Sequence, residues 1–391
     1  MDLAILYDVP LPNRYAATIQ MLRTAAAMAE QGRTCSFLTA EHRTSAGDTL
    51  AGLGLRPDTN LSLEAFFPPT RWPRLARRAG VFLQLRRLAA DAPLAVLSRG
   101  GAGMASLPVL ARLRRADRPL LLYEVHRLAG LTAFEAATGR SASPAEVRGR
   151  GALRAHARDL AAARAADGHV FLTEAVRRAA LEAGFPAKPS IVLPSGTMIP
   201  PKETLEAARD LDVVYAGKLE ARKGVPDLLG AMRELPSRHL DLAGGGPDEV
   251  AALRAAAPPN VRFHGWLDQD GVSGFFARGR VGACLLPLGL DSVSDRFTSP
   301  MKLLQMMAHG LAVVASDTPA IRAVVTDDED SVVVPPGDAR AAARAIDRLL
   351  REDDERARLG RAARRTAARY AWSERAARLG AFIDELARQG I

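Results

Sequence analysis

Two lysines share one short loop with glycines at both edges, Gly217 to Gly224, GKLEARKG. The chain holds 48 arginines and only five lysines, and three of the five, Lys218, Lys223 and Lys302, fall in two loop-and-helix segments of the second half. An ammonium group is a compact cation suited to phosphate oxygens. Glycine at a loop edge lets the backbone approach a ligand closely. An ordinary charged surface loop fits this segment equally well. Leu242 to Leu253, LAGGGPDEVAAL, carries Gly244, Gly245 and Gly246 directly off an apolar run, with Pro247 opening a helix. A glycine turn into a helix N-terminus is a ready anion site. It is also an ordinary tight turn, and Asp248 and Glu249 in the first helical turn would compete with a phosphate. A dinucleotide site does not fit: the third glycine of that fingerprint is missing, and position 264 is His where an acid is needed. The third segment, Arg296 to Val325, predicts a helix with Ser299 before it and Pro300 at its first position. The helix ends at His309–Gly310. Its positive end favours a nearby anion. Lys302 and Gln305, three apart, share one face, while Met301, Leu304 and Met307 read as core.

These segments lie in a chain where short apolar runs alternate with amphipathic ones from end to end. Strands are expected at 3–9, 34–40, 94–98, 119–126, 169–173 and 190–194, then again at 212–217, 239–244, 261–266, 283–287, 312–316 and 331–335. Ser143, Pro144 and Glu146 sign a helix start. Strand, helix, strand in series predicts parallel sheets with helices on both faces. Twelve strands exceed one ordinary sheet. The polar stretch Ser195 to Arg209 marks the cut, so the expectation is an α/β chain with two Rossmann-like, doubly wound domains, 1–200 and 201–371, and a cleft between them. A last helix is expected from Trp372 to the end, 372–391. In such sheets ligands sit beyond the carboxyl ends of strands.

The 391 residues allow two or three domains, and 48% apolar with 25% charged residues is ordinary globular composition. No run approaches the roughly 18–20 apolar residues of a membrane span. Asp2 sits where a secretory leader carries positive charge. Cys35 and Cys284, both in apolar runs, read as buried free thiols in a reducing cytoplasm. The net charge of +9 belongs to the first half, where residues 1–200 carry 26 basic against 16 acidic groups. Low aromatic content (5%) and no zinc or stacking motif argue against nucleic acid. The stretch 66–89 mixes Phe66, Phe67, Trp72 and Phe82 with arginines. It suits an anionic membrane face, although a solvated basic helix over its own core is the simpler reading.

The order G-K-L-x-x-x-K-G, then L-x-G-G-G-P, then S-P-x-K-x-x-Q-x-M-A-x-G-x-x-V-V-A-S-D resembles the second domain of nucleotide-sugar-dependent glycosyltransferases of the GT-B fold, family four, the glycosyl transferases group 1. The resemblance is close from Asp212 to Leu350. It is looser in the first half, through YEVH at 123–126, HVFLTEAVRRAAL at 169–181 and VLPSG at 192–196. It implies that Lys218 and Lys223 hold the donor pyrophosphate and stabilise charge on the leaving nucleoside diphosphate. It implies a nucleotide pocket lined by Gly217, Gly244 to Gly246, His264, Gly265, Ser299, Pro300, Lys302 and Gln305. His126 would face the donor sugar, although a satisfied strand-end histidine is the plainer alternative. Asn13, Arg14 and Tyr15, after the first strand, would face acceptor and donor.

The resemblance further implies retention of anomeric configuration, no metal and no cofactor beyond a UDP- or GDP-sugar donor. The acceptor would be a glycan, a lipid-linked sugar or a small molecule. The enzyme would be cytoplasmic, or peripheral at the inner membrane face, with domain 1–200 on the acceptor, domain 201–371 on the donor, and the last helix crossing back to the first domain. Two departures stand out. Of two family glutamates eight positions apart, the second aligns with Gln305 and the first with Phe297, leaving Asp291, Ser294 or Asp295 as substitutes. Lys218 stands where the family more often has arginine. These departures prompt a rival reading, a non-catalytic nucleotide-sugar-binding homologue or partner subunit. Two others are an epimerase or phosphorylase on the same fold and an anionic-lipid-binding protein.

Overall fold

Most of the apolar runs become strands whose central residues are enclosed, as strands covered on both faces must be, while the edge strands Ser190–Val192 and Val261–Gly265 are only partly covered. The computed structural model describes residues 1–391 apart from 14, 40–43, 56–57, 59, 66–79, 81–82, 89–92, 114–117, 207 and 391. The first unit comprises Met1–Ser195 with Trp372–Ile391, and the second Gly196–Ala371.

In the first unit the strands are β1 (Asp2–Leu6), β2 (Cys35–Thr39), β3 (Leu61–Ala65), β4 (Leu94–Ser98), β5 (Leu120–Val125), β6 (Gly168–Phe171) and β7 (Ser190–Val192). They pair in parallel in the order β3-β2-β1-β4-β5-β6-β7. In the second unit β8 (Leu211–Ala216), β9 (Leu240–Ala243), β10 (Val261–Gly265), β11 (Gly279–Cys284), β12 (Ala312–Ser316) and β13 (Val332–Val334) form a parallel sheet ordered β10-β9-β8-β11-β12-β13. Each is the doubly wound order, with its switch point between β1 and β4 in one unit and β8 and β11 in the other.

Thirteen strands, among the described residues, replace the twelve expected. The addition is β3, an edge strand whose LSLEA is only half-buried and too polar to register as an apolar run. The strand expected at 283–287 is instead Gly279–Cys284, because Gly279 and Gly282 make room for Val214 and Met306 packed against them. Ser143 to Glu146 opens only a single 3₁₀ turn, with Glu146 accepting the Ser143 amide at 2.8 Å, and the long helix begins at Arg150.

The helix Trp372–Arg388 belongs to the first unit. It buries Trp372, Ala376, Leu379, Phe382, Ile383 and Leu386, a three-and-four spacing that makes one apolar stripe. Phe382 and Leu386 close over Gly168, and the helix packs along Ala16–Glu30. The stretch 66–89 falls mostly outside the described residues. Among those described, no helix is long and apolar enough to cross a membrane.

Candidate active site

In the second unit, β8 ends against the switch point and hands the chain to the loop 217–224. Two glycines, one in this loop and one packed against it, have no substitute. Gly244 has φ +123°, and a Cβ on it would lie 1.9 Å from the Gly217 carbonyl oxygen. Gly224 has φ +78°, and its Cβ would lie 1.4 Å from the Leu285 carbonyl oxygen. The loops after β8, β9 and β11 are therefore in backbone contact. A third contact, Gly244 N–H to the Gly265 carbonyl at 2.6 Å, brings in the end of β10.

Under this loop lies a cation that the sequence reading assigned to the ligand. Lys302 Nζ donates to Tyr215 Oη at 2.8 Å and to the Lys223 carbonyl at 3.1 Å, and it stands 4.2 Å from the centre of the Tyr215 ring. Tyr215 Oη in turn donates to the Lys218 carbonyl at 2.8 Å. One ammonium thus ties down both ends of the loop, directly at Lys223 and through Tyr215 at Lys218. Burial pushes the Lys302 pKa down to about 8; Lys223 adds to this and Cys284 opposes it. Tyr215 was missed from the sequence, where it reads as one more apolar residue of DVVYAG.

The two loop lysines differ. Lys218 is more than half exposed and its ammonium is 3.2 Å from Glu220, which also holds Arg222 at 2.5 Å. Lys223 is half-buried, and its ammonium makes no hydrogen bond or ion pair among the described residues. Burial first, then Arg222, lowers its pKa.

The two helix starts also differ. At Pro247–Ala256 the Gly246 amide is taken by Glu249 at 2.9 Å, so the acids expected to compete with a phosphate occupy that end. The second helix is Met301–Ala308, with Pro300 at the cap rather than at the first position. It has no acid in its first turn and no side-chain cap. Its free N–H groups, Lys302 in the first turn and half-buried Gln305 make it the more electropositive end.

Phe297, in the place of the family's first glutamate, is 1% exposed, on a π-helical turn Val293–Phe297 with Arg296 over its ring. Its side chain is core. The three residues named as substitutes serve the loop itself. Asp291 accepts from the Ser294 amide at 2.7 Å and hydroxyl at 3.1 Å, and buried Asp295 accepts from the Gly289 amide at 3.0 Å. Ser299 is buried and engaged. His264 Nε2 is 2.7 Å from Asp241, a carboxylate buried on β9 that also holds Arg262 at 2.7 Å. Asp241 stands in register with Arg262, and an acid amid HLDLAG was its only signal.

In the first unit, β5 ends at His126, one strand from the switch point. His126 Nε2 is 2.5 Å from Glu124 Oε1. The same oxygen accepts from Gln20 Nε2 at 2.9 Å and from Arg375 at 2.8 Å. Burial alone would raise the Glu124 pKa, but Arg375, His126 and Arg99 outweigh it and hold it at about 2. Burial, then Arg99, pushes His126 down to about 4 against the pull of Glu124. Neither Glu124 nor Arg375 was singled out from the sequence. In the loop after β1, Asn13 is occupied: its amide donates to the Pro10 carbonyl at 2.7 Å, and its oxygen accepts from the Tyr15 amide at 3.0 Å and Thr18 hydroxyl at 2.7 Å. Tyr15 is 57% exposed, and Arg14 lies outside the described residues.

With this geometry in hand, comparison with known proteins is specific. The sequence model of the family "Glycosyl transferases group 1" matches residues 210–352, the sheet, loop and helix just described. Through this domain, the chain is similar to the group 1 glycosyl transferases. A phosphatidyl-myo-inositol mannosyltransferase of Mycobacterium leprae is 29% identical over 237 residues, which cover 57% of this chain. The match spans 60% of that relative's length. Sucrose-phosphate synthase of Thermosynechococcus elongatus superposes with a TM-score of 0.72 at 18% identity over 99% of both chains. HepE of Anabaena, solved with UDP, superposes with a TM-score of 0.72 at 17% identity, over 98% of this chain and 100% of its own. At these identities the structures speak for the fold, which is the GT-B fold with its two Rossmann-like domains.

Proposed function

We propose that this chain transfers a sugar from a nucleoside-diphosphate sugar to an acceptor hydroxyl, with retention of anomeric configuration. The observation that carries the reading is the Lys223 ammonium. It is half-buried, without a hydrogen-bond or ion-pair partner among the described residues, on a glycine-edged strand-end loop clamped by Lys302 and Tyr215. A buried cation left without a partner is costly unless an anion arrives. The donor diphosphate is such an anion. Lys223, with Lys218 at the rim and the N–H groups of Met301–Ala308, would meet the charge that develops as the sugar–phosphate bond breaks. In the retaining course, the acceptor hydroxyl attacks the anomeric carbon on the face from which the nucleoside diphosphate departs. The bond from that carbon to the phosphate oxygen breaks, the new bond to the acceptor oxygen forms, and the departing diphosphate takes the hydroxyl proton.

UDP or GDP suits the donor side, read by the loops at Gly217, Gly244 to Gly246 and His264–Gly265. The first unit, with its basic excess, would take the acceptor. The mannosyltransferase relative's name puts a lipid-linked cyclitol first among candidates, ahead of a free glycan or a small molecule. A lipid-linked acceptor would bring the enzyme to the inner face of the membrane, with its donor drawn from the cytoplasm.

The test is purified full-length protein with a panel of UDP-, GDP-, ADP- and TDP-sugars. Nucleotide-sugar binding by thermal shift should appear for one donor, with transfer to an acceptor or slow hydrolysis. Binding with neither reaction would favour a non-catalytic nucleotide-sugar binder instead.

A further inference from the structure

Glu124 is enclosed on β5, and its Oε1 collects three donors while Oε2 accepts none among the described residues. Arg375 is fixed from every side. Its Nε donates to Thr24 at 3.0 Å, one Nη to the carbonyls of Leu193 and, at 2.7 Å, Pro194, and the other to Glu124. A carboxylate paired with a guanidinium is ionised and only accepts. The ring nitrogen of His126 that lies 2.5 Å away must then carry the proton. Gln20 accepts from Ser195 Oγ at 3.0 Å, which turns its amide nitrogen toward Glu124 at 2.9 Å and His126 Nε2 at 3.2 Å. Of the two groups facing Nε2, the ionised carboxylate at 2.5 Å is the nearer, and it decides where the proton sits. The other ring nitrogen, Nδ1, is left bare, and no described residue bonds to it. Burial first, then Arg99 and Arg375, disfavours a second proton on the ring against the pull of Glu124.

We propose that Glu124 and Arg375 are positioning residues that lock His126 in its Nε2–H form, so that Nδ1 meets the carbohydrate as a hydrogen-bond acceptor and selects a substrate hydroxyl. The substrate half rests on the sugar-transfer reading; the tautomer does not. A histidine at a strand end is free to present either nitrogen, and which one it presents is set by its partner. Here the partner is Glu124, itself held by Arg375 from the helix Trp372–Arg388.

The experiment is nitrogen-15 NMR of the histidine-labelled full chain near neutral pH, with His126 assigned through His126→Gln. The expected spectrum has a protonated Nε2 and a bare Nδ1. Glu124→Gln, which can donate as well as accept, should shift His126 toward the other form, and Arg375→Lys should leave it in place. Transfer is then measured with deoxy and fluoro versions of the donor found by the panel. One deoxy or fluoro position should cost roughly tenfold in kcat/KM, as a hydrogen bond of about 1.4 kcal/mol does, and His126→Ala should erase that difference. An Nδ1–H ring in the active wild type overturns this proposal and leaves the transfer reading intact. An Nε2–H ring in a chain that transfers no sugar overturns the transfer reading and the substrate half with it.

Discussion

Arg375 meets Glu124 at 2.8 Å across 251 residues of sequence, with both groups almost fully enclosed. Removing one partner of a buried pair leaves an uncompensated charge, which costs about 3–5 kcal/mol. Arg375→Met should destabilise the protein by about that amount in chemical denaturation. Glu124→Gln with Arg375→Met together should cost less than the sum of the two. Additive losses would mean that the pair is not coupled.

The same cluster predicts acid sensitivity. Glu124 is held at about 2 against an ordinary 4.5, so its stabilising contribution is complete above 4.5 and fades as pH falls toward 2. His126 is held at about 4 against 6.5, so the unfolded chain gains a proton that the folded one refuses between those values. Both work in one direction, and stability should fall as pH drops from about 6.5. The midpoint of urea unfolding followed against pH checks this, and Glu124→Gln should flatten the lower part of the curve.

Lys302 gives the alkaline counterpart. Its pKa of about 8 means that the clamp under the loop is cationic at neutral pH and loses its charge as pH rises through 8. A bound diphosphate would raise that pKa, so nucleotide binding near pH 8 should take up a proton. Calorimetry in buffers of different ionisation heat reads the uptake directly. Lys302→Met should abolish it and weaken binding roughly tenfold, the scale of one charged hydrogen bond.

The loop lysines should not be equivalent. Lys223→Ala should weaken nucleotide-sugar affinity roughly tenfold to a hundredfold, the scale of a partly desolvated charge-assisted contact. Lys218 is exposed and shared with Glu220, so Lys218→Ala should cost no more than about threefold. Titration of both variants with the same donor separates them, and equal losses would refute the ranking.

Phe297→Glu, which writes back the residue that the family carries there, should not improve transfer. The position is core, and an unpaired carboxylate there should unfold the surrounding turn. A lowered melting temperature with no gain in kcat/KM is the expected pair of results.

Much of the fold was legible because buried parallel strands announce themselves as apolar runs: AVVAS is the strand Ala312–Ser316 as read, and LAILYDV holds a strand that starts one residue earlier and ends three residues sooner. β3 was illegible because an edge strand need not be apolar on either face. The glycine-edged loop was legible because φ values such as those of Gly217 and Gly224 admit few other residues. What stays hidden in sequence is which group a side chain answers to. Lys302, expected beside the donor, also braces the loop from beneath through Tyr215 and the Lys223 carbonyl. Asn13, expected on the acceptor side, also holds its own turn through Pro10, Tyr15 and Thr18. Glu124 and Tyr215 looked like strand filler, because their partners come from segments that no local spacing connects to them.

Arg375 also sets an order of events during synthesis. At about 5–20 residues per second, a ribosome needs roughly 13–50 s to travel the 251 positions from Glu124 to Arg375. Through that interval the nascent first unit must carry its acidic side chain without the guanidinium that neutralises it. The histidine pocket can mature only after Arg375 has been made, so a product terminated before that position would lack a finished pocket.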